Sequence, residues 1–164
     1  MSIKLVAACT DDKKAIKALN KLLENGISKE AITALGKGLE EFEVEKENED
    51  IAFWGKIGAG WGAIVGMLAG AALSFVPGFG PIVGAGPLIS SLVGALGGAM
   101  VSGSITALVA WMVDIGIELA EAKRYEELLK KGYYLIIVEG EEEALKAKEI
   151  LKDFCEVKIF EKKE

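Results

Sequence analysis

The chain has 164 residues, a net charge of −6 and no histidine. That length suits one domain, or one domain with an insert. The acidic balance excludes a broad nucleic-acid surface, and the missing imidazole excludes Ser-His or Cys-His nucleophiles and His-rich metal sites.

Ile3–Cys9 is a short apolar run with β-branched members and reads as a first strand. The run begins almost at Met1, which leaves no room for a signal-type segment, so the chain is expected to stay in the cytoplasm or insert from it. Thr10 suits a helix N-cap, and Asp11 and Asp12 suit the positive end of the helix dipole. Ala15, Ile16, Leu19, Leu22 and Leu23 follow at helical spacing, and Asn25-Gly26 stops the helix. Ser28–Gly36 reads either as a short second strand through Ile32, Thr33 and Leu35 or as the start of a helix at Ser28. Phe42 and Val44 alternate with Glu41, Glu43 and Glu45, the pattern of a half-exposed strand or of a solvated acidic connector.

From Ile57 to Val113 there is no charged residue. Gly58, Gly62, Gly66 and Gly70 recur every fourth position and Ser74 continues the row. A segment with Pro77, Gly78, Gly80, Pro81, Gly86 and Pro87 follows. A second small-residue row then runs through Ser90, Gly94, Gly98 and Ser102, with Thr106 and Ala110 behind it. Residues four apart share one helix face, and such stripes let two helix backbones approach closely. This spacing predicts two helical arms, Ile57–Val76 and Leu88–Val113, zipped along their small faces with the Pro/Gly segment as the tip. The first arm would be about 30 Å long, matching a hydrocarbon core. Trp54, Trp61 and Trp111 fall near the open end of this hairpin, where they read as interfacial aromatics or as packing against the globular unit.

Glu118–Lys131 reads as an amphipathic helix with Leu119, Ala122, Leu128 and Leu129 on its apolar side. Gly132 ends it, and Tyr133–Val138 reads as a strand. Glu141–Asp153 is a further amphipathic helix, and Phe154–Phe160 alternates as a last strand. Without the hairpin, the order is strand–helix–strand twice, which predicts an α+β ferredoxin-like domain, a four-stranded antiparallel sheet with two helices on one face. The hairpin enters between its second and third strands. Residues 1–50 and 117–164 form the two halves of the domain, the latter including a connecting helix, and 51–116 form the hairpin. The first and fourth strands of such a sheet are antiparallel neighbours, which sets Cys9 near Cys155 and Lys4 near Phe160. Two thiols there read as small buried apolar residues, or as a bridged pair if within about 7 Å.

The β-α-β start, the row Gly58-Gly62-Gly66-Gly70, the tip Pro77-Gly78-Phe79-Gly80-Pro81 with Gly86-Pro87, and Tyr125…Gly132-Tyr133 resemble the bacterial general stress protein family with a central glycine-zipper hairpin, a domain of unknown function. The resemblance covers most of the chain. It implies a non-enzymatic protein tied to stress or envelope, with no catalytic residues to carry over.

Gly58-Ala59-Gly60-Trp61-Gly62-Ala63 fits the spacing of a dinucleotide fingerprint but lacks the preceding strand and the following acid. No phosphate-loop G-K-[ST] occurs. Glu141-Glu142-Glu143 suits the first turn of a helix, and Arg124 suits an ion pair or a lipid phosphate. The expectation is a non-enzymatic protein without cofactor or metal. An apolar hairpin needs a partner, either lipid or further copies of the chain. One reading is a membrane-associated, self-associating protein with its globular part on the cytoplasmic side. The other is a cytoplasmic ring, shell or filament that buries its hairpins between subunits and encloses lipid. Neither binds nucleic acid.

Overall fold

A computed structural model describes residues 2–37, 64, 68, 72–76, 79–92 and 105–162. Strand β1 (Ser2–Cys9) leads into helix α1 (Asp12–Glu24), whose N-cap is Asp11 rather than Thr10. The Asp11 carboxylate accepts from the Lys14 N–H at 2.8 Å, satisfying a donor left over by the first helical turn. Gly26, at φ +84°, ends α1. Both readings of the next stretch hold in succession. Ser28 caps a short 3-10 turn, Lys29–Ala31, and strand β2 (Ile32–Lys37) follows at once.

The end of the first expected arm and the segment expected to be the tip form instead a β-hairpin, β3 (Ala72–Val76) and β4 (Gly80–Ala85). Ser74 therefore lies on a strand and not on a helical stripe, and Gly80 and Pro81 open β4. The physical reason lies in the alternation Pro81-Ile82-Val83-Gly84-Ala85, where β-branched side chains can serve both faces of a sheet. After a helical turn at residues 89–92, helix α2 (Ala107–Asp114) begins at a Thr106 N-cap. Helix α3 (Leu119–Lys130) is separate from it, because Gly116 at φ +112° breaks the chain between them. Strand β5 (Tyr134–Glu139), helix α4 (Glu141–Leu151) and strand β6 (Glu156–Lys162) complete the fold.

The chain is α+β, with an antiparallel sheet in the order β3-β4-β2-β5-β1-β6. Six strands stand among the described residues where four were expected. Helices also cover both faces instead of one. On the first face Leu5, Ala7, Cys9, Ile136 and Val138 meet Ala15, Leu19 and Leu22 of α1 and Ala144, Ala147 and Leu151 of α4. On the second, Val6, Ala8, Leu35, Leu135 and Ile137 meet Leu108, Trp111 and Met112 of α2 and Ala122, Tyr125 and Leu129 of α3. The side-chain period of two along each strand divides these sets.

The arms of the expected hairpin are divided in the same way. Ile64 and Leu68 of the first arm are buried in the first core. Ile89, Leu92, Leu108, Val109, Trp111 and Met112 of the second arm are buried in the second core. The sheet lies between them, so these parts of the arms do not zip together. The second arm is not one helix either, since Ile105 and Thr106 are non-helical. No helix among the described residues is long and apolar enough to cross a membrane. Leu119, expected on the apolar face of α3, is exposed, and so is Leu145 of α4.

Candidate functional site

Two features of the apolar stretch tie it to the rest of the chain, a polar relay beneath the residue 86–92 turn and close backbone contact at Gly86. Thr33 is fully buried on β2 and its hydroxyl accepts from the Leu88 N–H at 3.1 Å. The Leu88 carbonyl accepts from the Ser91 hydroxyl at 2.7 Å, and that hydroxyl accepts from the Trp111 indole Nε1–H at 2.9 Å. The buried indole N–H and the buried Thr33 hydroxyl oxygen each have a partner in this run, and Ser91 at its outer end is exposed. Gly86 has φ +114°, and a Cβ there would meet the Ile32 carbonyl oxygen at 2.4 Å and the Thr33 Cα at 2.6 Å. Only glycine lets the chain leave β4 this close to β2. At Thr106, the side chain caps α2 through the Val109 N–H at 3.2 Å and donates to Glu126 of α3.

Trp111 is thus a core residue and not an interfacial aromatic, at 2 % exposure. Its ring fills the space between α2 and the sheet, and its one donor is already used. Ser90 is exposed and donates to the Pro87 carbonyl at 3.1 Å. Pro87 is exposed and Gly86 is buried. Gly58, Gly62, Gly66, Gly70, Gly94, Gly98, Ser102, Pro77, Gly78, Trp54 and Trp61 lie outside the described residues, as does the acidic stretch Glu40–Asp50.

Cys9 and Cys155 form a disulfide with their Cα atoms 4.7 Å apart, so the reading of two free buried thiols is corrected. The β1·β6 register sets Ala8 opposite Glu156 and Lys4 opposite Phe160, which places the cysteines across from each other at the next step. The bridge closes a loop over almost the whole chain, at a sequence separation of 146. It pins the edge strand β6 and the preceding α4 to the central β1.

Arg124 is held by two carboxylates. It contacts Glu121 at 2.9 Å and Glu156 at 2.8 Å, and Lys158 reaches the other side of Glu121 at 3.3 Å. The Glu156 hydrogen bond, aided by Glu121, raises the guanidinium pKa. In return the Arg124 hydrogen bond, with Lys158, holds the Glu121 carboxyl below its ordinary range. A guanidinium so engaged joins α3 to β6, which is the ion-pair reading of Arg124. Burial raises the pKa of the Tyr125 hydroxyl and, with Asp12 and Asp11 nearby, pushes that of Tyr134 to about 12. Lys13, Ile16, Lys17, Asn20, Lys21 and Glu24 line a shallow groove of about 400 Å³ along α1.

The described residues bring together no cluster of metal-ligating side chains. The relay through Thr33, Ser91 and Trp111 is what sequence reasoning missed. Its one visible signal is the pair of hydroxyls at Ser90 and Ser91 beside a glycine-proline break, which reads equally well as a small-residue stripe. No family model, curated protein or solved structure matches the chain.

Proposed function

We propose that this is a non-enzymatic, self-associating protein whose glycine-rich apolar stretch joins copies of the chain. The observation that carries the reading is the uncharged stretch with its two rows of small residues four apart. Such rows favour close backbone packing between protein helices. We further infer that β1, β2, β5 and β6 with α1 and α4 form a ferredoxin-like unit. The order β2-β5-β1-β6 and the two strand–helix–strand connections support this.

Length favours assembly over a bilayer hairpin. With residues 72–76 in β3 and α2 starting at Ala107, the apolar residues 57–71 and 89–104 would reach roughly 22–24 Å as helices, against about 30 Å of hydrocarbon. Ile64, Leu68 and Leu92 are also already buried within the chain. A single variant carrying Gly62→Leu and Gly66→Leu tests the role. It is expected to dissociate the particle formed by the full chain in detergent-free buffer, read by sedimentation velocity. An unchanged particle, or a wild-type chain recovered only with membranes, would contradict the reading.

A further inference from the structure

Strand β6 is an edge of the sheet. β1 pairs with one side of it, and no described strand pairs with the other. An exposed edge is a row of unpaired backbone donors and acceptors that can template another strand. We propose that β6 is a self-pairing edge and takes β6 of a second copy of this chain, antiparallel, with a two-fold axis at Ile159. This interface is separate from the glycine rows.

The charges on β6 select that register. With the axis at Ile159, Glu156, which Arg124 holds on one side, stands opposite Lys162 of the second copy, whose ammonium also donates to the Asp114 carbonyl of its own chain, and the symmetry makes this contact twice. Directly opposed unlike charges stabilise a strand pair and like charges oppose it. The smallest slip that keeps like faces together is two residues. One such slip sets Lys158 against Lys158 of the second copy, and the other sets Lys158 against its Lys162. The strand therefore opposes unlike charges in one register, and in the neighbouring two it sets Lys158, already paired with Glu121 of its own chain, against a second lysine.

Helix α4 adds an apolar cover over the same point. Ala144, Ala147 and Leu151 face the sheet, and Lys146 reaches toward Gly26 at the end of α1. At about 100° per residue, Leu145 then falls on the flank turned away from α1, toward the β6 edge. It is 54 % exposed, the most exposed large apolar side chain among the described residues. The Cys155 N–H donates to the Leu151 carbonyl at 3.0 Å, so the turn into β6 is tight. Leu145 lies roughly 9 Å back along the helix from Leu151, and Ile159 roughly 10 Å along the strand from Glu156. The two residues are level. Val157 and Ile159 pack on this same face and are only partly buried. An axis normal to the sheet keeps both α4 helices on one side, so Leu145 of each copy closes over the paired Ile159 residues.

Zero-length carbodiimide crosslinking of mixed 14N- and 15N-labelled full chain tests this. Six residues of extended strand separate Glu156 from Lys162 by roughly 20 Å within a chain, too far for an internal amide. A mixed-isotope Glu156–Lys162 crosslink is expected. Its absence, while the internal Lys158–Glu121 pair at 3.3 Å crosslinks, would overturn the proposal. Leu145→Glu, at an exposed position, is expected to lower the intermolecular yield about tenfold, the effect of weakening a dimer by one order in Kd. An unchanged yield would also overturn it. The Gly62→Leu, Gly66→Leu variant is expected to keep this crosslink, so failure of the glycine reading is told apart from failure of this one.

Discussion

At Trp111 the composition of the chain points one way and its packing another. An indole at the end of an apolar stretch suits a membrane boundary, where one side of the ring is dry and the other wet. Here the Ser91 hydroxyl replaces the wet side, and α2 and the sheet supply the dry one. Large-to-small changes at buried aromatics cost about 3–5 kcal/mol. Trp111→Ala is therefore expected to lower the unfolding free energy by about that amount in a denaturant titration, whereas a boundary residue would cost well under 1 kcal/mol. The cysteines were more legible. Once strand order is set, register follows, and Lys4 opposite Phe160 with Cys9 beside Cys155 is the pairing found. Whether the two thiols are joined was not readable, because residue spacing fixes proximity and not oxidation.

Among the elements, β1 and β5 were readable as short apolar runs with β-branched members, and α1, α4 and β6 because each carries one clear period. β2 was ambiguous because a 3-10 turn and a strand occupy one short stretch. The β3–β4 hairpin was misread because a Pro/Gly-rich segment suits the tip of a helical hairpin as well as it suits a turn and a close strand contact. Gly84 shows the second use, since a Cβ there would lie 3.2 Å from the Ala34 carbonyl oxygen of β2. Gly86 shows the first, with its positive φ and the β2 backbone against it. Gly86→Ala is expected to destabilise the chain by about 1–3 kcal/mol, the usual cost of overpacking or of backbone strain. A thermal melt unchanged from wild type would mean that β4 does not run so close to β2.

Across the whole molecule, the division into a domain and a separate hairpin does not hold for the residues described. Strand β4 pairs with β2 inside the sheet, and α2 covers the second face. The flanking segments alone would bury the first face and leave much of the second bare. A trace of this was present in the strands themselves. Val6 and Ala8 on β1, and Leu135 and Ile137 on β5, are apolar on the face that a sheet with helices on one side would leave to water. A strand apolar on both faces needs cover on both. That cover could not be assigned from sequence, because the apolar stretch offers many segments of similar composition and no charge to orient them.

The central claim is that residues expected at the tip of an extended helical hairpin form a strand inside the sheet. Native-state amide hydrogen exchange on the full chain, read at Ile82, Val83, Gly84 and Ala85, tests it most directly. A strand paired with both β2 and β3 is expected to exchange through larger openings, with protection approaching that of Ile136 and Ile137 on β5. Exchange of those four amides at the rate of an unstructured proline-glycine turn, while β5 stays protected, would contradict the account.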